Sequence, residues 1–219
     1  MNITGVYLVT DRASLFGKSL DEVIFQAIKG GAIMVQLREK DVSTRFFIEE
    51  ARRIKKILSP YTVPLIINDR VDVALAVGAD GVHIDQEDMP YPLARKLLGP
   101  GAIIGLSVET PEQVEAAEAF DVAYLGVSAI FSTPTKTNTR HHWGLDGLRK
   151  VRAMSRHSLV AIGGINASNA AEVMQAGADR LAVVSAICSS PDPQKATEYL
   201  RRIVLSTSRR EDSALIPDP

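Results

Sequence analysis

The chain has 219 residues, 46% of them apolar, which suits one domain with a large core. Its formal net charge of −1 gives no reason to expect nucleic acid as a partner, so any cationic site must be local. The single cysteine, Cys188, excludes an intramolecular disulfide framework and fits a reducing, cytoplasmic setting, and no apolar run is long enough to span a membrane.

The start, Met1-Asn2-Ile3-Thr4, carries no basic region or apolar signal segment. The first predicted strand is Gly5 to Thr10, closed by Asp11-Arg12. Val23, Ile24, Ala27 and Ile28 recur at helical spacing, and Gly30-Gly31 ends that helix. A second strand, Ile33 to Leu37, runs into Arg38-Glu39-Lys40. Asp41-Val42-Ser43 offers cap candidates for a helix through Ile57.

The stretch Pro64 to Pro90 reads as a β-α-β unit. Leu65-Ile66-Ile67 ends in Asn68-Asp69-Arg70, and Val82-His83-Ile84 ends in Asp85-Gln86-Glu87-Asp88. β-Branched residues dominate both runs and alternation is poor, as in buried parallel strands. Tyr91 to Leu98 is predicted helical, and Ile103 to Leu106 is a fifth strand ending at Ser107. Thr110 caps a helix that opens with Pro111.

Ala123 to Val127 is a sixth strand, followed by a long polar loop, Ser128 to Trp143. Loops of that length are uncommon in compact domains and are usually functional or disordered. Leu145 to Met154 is a helix, Leu159 to Ile162 a strand ending in Gly163-Gly164, Asn169 to Gln175 a helix, and Leu181 to Val184 the last strand. Tyr199 lies in the last helix. About eight strand–helix alternations fit a single (β/α)8 TIM barrel, residues 1–205, better than a doubly wound sheet. Residues 206–219 are polar, charged and proline-containing, and are read as a mobile tail. Gly-Ala at 31–32, 78–79 and 177–178 marks the helix-to-strand returns on the opposite face.

Nearly every predicted strand ends in polar residues, and sites on barrels are built at that rim. Gln36, Arg38 and Lys40 alternate along one extended segment and so point the same way. Arg38 offers a planar fork for phosphate oxygens, and Lys40 a mobile ammonium. Asp69 and Asp88 follow neighbouring strands and can converge as a hard-cation site, most naturally for Mg²⁺. Asp69 has a second reading, as the cap of the helix that starts near Arg70. Phe131-Ser132-Thr133-Pro134-Thr135-Lys136 gathers hydroxyls and a lysine that can hold phosphate, without the spacing of a P-loop. Gly163-Gly164 and Ser185 end the last two strands, where barrels often bind phosphate through backbone N–H groups. His83 is read as a satisfied strand histidine rather than a base. His141 and His142, being adjacent, are not read as a metal site, and Cys188 is read as structural.

Taken together, Tyr7-Leu8-Val9-Thr10-Asp11-Arg12, Gln36 to Lys40, Ile67 to Arg70, Gly81 to Asp88, Gly105-Leu106-Ser107, Thr133 to Lys136 and Ala161 to Ile165 resemble the thiamine-phosphate synthase family over nearly the whole chain. The resemblance implies a barrel enzyme joining hydroxymethylpyrimidine diphosphate to hydroxyethylthiazole phosphate or its carboxylated form. The implied products are thiamine phosphate and pyrophosphate. It implies that Gln36, Arg38, Lys40, Asn68, Ser107 and Lys136 hold the pyrimidine diphosphate, with Arg38, Lys40, Asn68 and Lys136 serving catalysis. Asp69 and Asp88 are the implied Mg²⁺ ligands. Thr133, Thr135, Gly164, Val184 and Ser185 are the implied thiazole phosphate site. Asp85 stands where the family often has glycine, and the segment from 137 to 143 departs from its pattern. A thiazole tautomerase-like relative and a non-catalytic ligand-binding barrel are the alternatives.

Overall fold

The computed structural model describes residues 4–133 and 142–214, with side chains through residue 207. Eight parallel strands close in sequence order, each beside the next and the last beside the first. They are β1 (Gly5–Val9), β2 (Met34–Leu37), β3 (Leu65–Asn68), β4 (Gly81–Ile84), β5 (Ile103–Val108), β6 (Tyr124–Ser128), β7 (Leu159–Ile162) and β8 (Arg180–Val183). The helices are α1 (Leu20–Lys29), α2 (Thr44–Leu58), α3 (Val71–Val77), α4 (Tyr91–Leu98), α5 (Pro111–Ala117), α6 (Gly144–Met154), α7 (Ala170–Gln175), α8 (Ser185–Cys188) and α9 (Pro193–Ala214). The (β/α)8 barrel expected from the alternation of elements is the fold.

Local chemistry sets the helix starts. Ser19 accepts from the backbone N–H of Glu22, Ser43 from that of Phe46, and Thr110 from that of Gln113, each relieving an unpaired first-turn donor. Asp69 does not cap α3, which has no side-chain cap bond. The Asp69 carboxylate is turned to Lys40 instead.

The strands are buried on both faces. Val6, Leu8, Val35, Leu37, Leu65 and Ile67 face outward into the layer they share with the helices. Tyr7, Val9, Met34, Ile66, Tyr124, Val160 and Ala182 fill the barrel interior. Two strand glycines shape that interior toward the mouth. A Cβ on Gly105 would stand 2.1 Å from Tyr124 Cζ, and one on Gly126 would stand 2.8 Å from His83 Cε1. The glycines thus make room for one phenol ring and one imidazole that no larger neighbour would admit.

Three features depart from the sequence reading. α9 passes the expected boundary at residue 205 and continues to Ala214. Leu200 and Val204 bury its inner face, Thr207 follows them inward and bonds Ile203 O, and a helix so anchored propagates readily. α8 follows β8 directly at Ser185, too short for its periodicity to show. β5 runs on through Ser107 to Val108, so Ser107 belongs to the strand rather than the loop after it.

Candidate active site

The cavity lies at the C-terminal ends of the strands, where the barrel opens. Gln36, Arg38 and Lys40 line it together, as period-2 alternation requires. The residues between them point the other way: Leu37 is fully buried in the outer layer, and Glu39 accepts two hydrogen bonds from Arg12 Nε at 2.8 and 2.9 Å. Arg38 N–H donates to Thr10 Oγ1 at 3.0 Å, and its guanidinium lies 3.7 Å from Asp11. The loops after β1 and β2 therefore brace each other, and the two cations that follow β2 line the cavity. Asn68 and Ser107 complete this side of the wall.

Asp69 and Asp88 stand at the rim beside it. Asp69 has a left-handed backbone, φ 61°, unusual for a residue other than glycine, and donates its N–H to His83 O at 2.8 Å. That conformation turns its carboxylate onto Lys40 Nζ at 2.5 Å. Asp88 Oδ2 accepts the Asp85 N–H at 2.7 Å, closing a tight turn after β4. The Asp88 carboxyl is pushed up to about 6, first by burial and then by the charges of Asp69 and Asp85, with the Asp85 N–H opposing. Two carboxylates brought into contact in this way repel unless a proton or a cation lies between them. No group of three or more histidine, cysteine, aspartate or glutamate side chains is arranged as a metal cage among the described residues. An oxygen pair of this kind suits a hard cation that takes its other ligands from water or phosphate, which is the habit of Mg²⁺.

The opposite wall is made of loops. Gly163 and Gly164 have φ of 101° and 66°, and a Cβ on Gly164 would stand 2.7 Å from Ser132 O. The segment from Ala129 to Thr133 runs against them, with Ile130 N–H donating to Ile162 O and Phe131 N–H to Gly163 O. Val184 and Ser185 sit where β8 turns into α8, and Thr133, Gly164, Val184 and Ser185 all line the cavity. A glycine turn beside the start of a short extra helix is the usual phosphate seat of this fold. Trp143 closes the far end of the long connection, its indole N–H reaching Val108 O at 3.3 Å. Thr135 and Lys136 lie outside the described residues.

Five polar residues of the cavity had no substrate-binding role assigned in the sequence reading: Tyr7, His83, Asp85, Tyr124 and Ser128. His83 is satisfied, as expected, yet it also lines the cavity, bonded to Tyr124 through Nδ1 and to Ser107 through Nε2. Its ring stacks on Tyr124 with centroids 5.5 Å apart. Burial pushes both phenols, Tyr7 and Tyr124, well above their ordinary range, so each keeps its proton as a donor. The strand glycines Gly105 and Gly126 were the signal for this cluster, since glycine inside a strand marks a close approach. Cys188 is buried under β1, and burial raises its thiol to about 11, which leaves it inert.

The family model described as thiamine monophosphate synthase matches residues 6–187. A thiamine-phosphate synthase of Vibrio campbellii is 52% identical over 200 residues, covering 91% of this chain and 98% of the relative. One from Leptospira biflexa is 54% identical over 203 residues, covering 91% and 97%. Among solved structures, the thiamine phosphate pyrophosphorylase of Pyrococcus furiosus superposes with a TM-score of 0.84 at 40% identity, covering 93% of this chain and 96% of the other. With matches of this strength across nine-tenths of its length, and with the strand-end residues gathered at one mouth, the chain belongs to the thiamine-phosphate synthase family, enzymes of thiamine biosynthesis.

Proposed function

We propose that the enzyme joins 4-amino-2-methyl-5-(diphosphooxymethyl)pyrimidine to hydroxyethylthiazole phosphate, or its carboxylated form, with release of pyrophosphate and, from the carboxylated form, of carbon dioxide. The observation that carries this reading is a mouth with two separate anion seats. Arg38 and Lys40 face one side beside an acidic pair, and the glycine turn and α8 face the other. Two phosphorylated substrates can lie there with their reacting ends between the seats. Thiazole tautomerase-like relatives lack parts of a diphosphate site, and this wall carries Gln36, Arg38, Lys40, Asn68 and Ser107 together, which disfavours that alternative.

Asp69 and Asp88 would hold Mg²⁺, which when bound supplies positive charge to the diphosphate oxygens. Arg38 and Lys40 grip the same oxygens and stabilise the charge that grows there as the methylene–oxygen bond breaks. The bonding electrons leave with pyrophosphate, and the thiazole nitrogen forms the new bond to the methylene carbon. No protein nucleophile is needed, so positioning and charge do most of the catalysis. Gln36 and Asn68 orient the pyrimidine. Thr133, Gly164, Val184 and Ser185 fix the thiazole phosphate, and with it the distance of the attacking nitrogen.

Incubation of the enzyme with both precursors and Mg²⁺ should yield thiamine phosphate and pyrophosphate in equal amounts. Undiminished turnover in excess chelator would remove the metal, and absence of product would remove the reaction. The division of the mouth has its own test in Gly164→Ala. The left-handed backbone costs any side chain about 1 kcal/mol, and the new methyl displaces Ser132 and with it Thr133. The KM for the thiazole phosphate should rise about tenfold while that for the pyrimidine diphosphate stays within about twofold. Equal rises for both substrates would contradict the division.

A further inference from the structure

Five side chains from five strands are linked end to end inside the mouth. Gln36 Nε2 donates to Tyr7 Oη at 2.8 Å. Tyr7 Oη lies 3.0 Å from Tyr124 Oη, which lies 3.1 Å from His83 Nδ1. His83 Nε2 lies 2.9 Å from Ser107 Oγ. With the Gln36 amide as the donor, the proton inventory of these groups sets the direction of every other bond along the chain. Tyr7 accepts from Gln36, so its single proton goes to Tyr124. Tyr124 accepts that bond and donates to Nδ1, which must be bare. The imidazole proton therefore sits on Nε2 and is donated to Ser107 Oγ. Ser107 keeps its own hydroxyl proton for another acceptor, and Gln36 keeps its carbonyl oxygen for another donor. Both residues line the cavity.

We propose that Tyr7, Tyr124 and His83 form a polarity relay that makes Gln36 an acceptor and Ser107 a donor toward the pyrimidine. The inference rests on the aminopyrimidine diphosphate reading of the substrate. An aminopyrimidine offers an N–H donor at its amino group and acceptors at its ring nitrogens and phosphate oxygens. Gln36 Oε1 answers the amino group, and the Ser107 hydroxyl answers an acceptor. The opposite direction along the chain is also self-consistent, with the amide turned over and the imidazole proton on Nδ1. In that state the Gln36 amide would present N–H to N–H, and Ser107 would be spent on His83. Choosing between the two directions is thus choosing between an amino- and an oxo-pyrimidine. Tyr7 and Tyr124 are positioning residues, acting on the substrate through Gln36 and His83.

The test reads the imidazole directly. In enzyme carrying ¹⁵N-histidine, without substrates, His83 should show a protonated Nε2 and a bare Nδ1, its signals assigned by their loss in His83→Asn. At pH 8, Gln36→Glu replaces the donating amide with a group that only accepts. The whole chain should then reverse and the proton should move to Nδ1, three hydrogen bonds from the change. Adding Tyr7→Phe to Gln36→Glu should abolish that reversal, which a merely structural tyrosine would not do. In turnover, Tyr7→Phe should raise the KM for the pyrimidine diphosphate about tenfold and cut the preference for the amino- over the oxo-pyrimidine diphosphate by a similar factor, with the KM for thiazole phosphate unchanged. A proton on Nδ1 in the unaltered enzyme, or a tautomer indifferent to Gln36→Glu, would overturn the relay. Failure of the unaltered enzyme to form thiamine phosphate would overturn the substrate reading instead and leave the tautomer result standing.

Discussion

Asp88→Asn is expected to cost about 3 kcal/mol in transition-state stabilisation, roughly a hundredfold in kcat/KM, without loss of the fold. Asparagine keeps an oxygen for the Asp85 N–H, so the turn after β4 survives, and only the charge is removed. The lost charge is one of the two proposed to hold Mg²⁺, and the requirement for the cation should move to much higher concentration. Stability should move the other way. The Asp88 carboxyl is raised in the folded chain, so ionising it opposes folding, and that opposition grows as pH rises from the ordinary carboxylate range through about 6. A neutral amide relieves it. At pH 8 in the absence of divalent cations, the variant should melt no lower than the unaltered enzyme. Kinetics over a Mg²⁺ titration and melting curves with and without the cation check both halves. Unimpaired turnover at low Mg²⁺ would remove Asp88 from the site, and a large loss of stability would show that its charge serves the fold instead.

The parts of this site that were legible in the sequence share one property: each depends on where a strand ends. Gln36, Arg38 and Lys40 alternate through the end of β2 and beyond it, and alternation survives in any register. Asp69 and Asp88 follow adjacent parallel strands, and parallel strands end on one face. The glycine turn after β7 and Ser185 after β8 were found the same way. Residues deeper inside the strands were a different matter. β1 reads Gly-Val-Tyr-Leu-Val and is buried throughout, so hydrophobicity does not say which face looks into the barrel. Tyr7 and Tyr124 were hidden for that reason, and His83 passed as an ordinary strand histidine.

Asp69 had two sequence readings, and tertiary contact decided between them. Helix capping needs only local chain, whereas the Lys40 contact needs β2 beside β3. The left-handed backbone at Asp69 favours the second. α8 and the end of α9 were missed for opposite reasons. α8 is shorter than the window in which a helical period can be recognised. The end of α9 is polar and carries no apolar period of its own, yet it continues a helix already anchored at Leu200 and Val204.

Arg12→Ala is expected to reduce stability by about 2–3 kcal/mol and to lower Tm by roughly 5–10 °C. Arg12 lies outside the cavity, and its work is to hold what lines it. Its Nε meets both oxygens of Glu39, its other edge meets Glu50, and its plane lies over the Phe46 ring, 5.1 Å from the centroid. Glu50 has a second partner in Arg53, which also reaches Asp21. Glu39 has no other ion pair among the described residues, and its side chain is 2% exposed. Removing Arg12 strands that carboxylate in a buried place, which in a fully enclosed pair costs about 3–5 kcal/mol. The Arg12 side chain is 41% exposed, so water can enter its space, and the expected cost is scaled down for that reason. Function should follow, because Glu39 is the pin between Arg38 and Lys40. Once Glu39 turns outward to reach water, both neighbours lose their aim, and the KM for the pyrimidine diphosphate should rise about tenfold with little change for the thiazole phosphate. Adding Glu39→Gln separates the stranded charge from the lost packing. The double variant should recover most of the stability of Arg12→Ala, since an amide is far cheaper to leave buried than a carboxylate, and the cycle should show coupling above about 1 kcal/mol. Thermal melts of the two single variants and the double, with KM for each substrate, are the measurements. A double variant no more stable than Arg12→Ala would mean that Arg12 acts by packing on Phe46 rather than by pairing with Glu39.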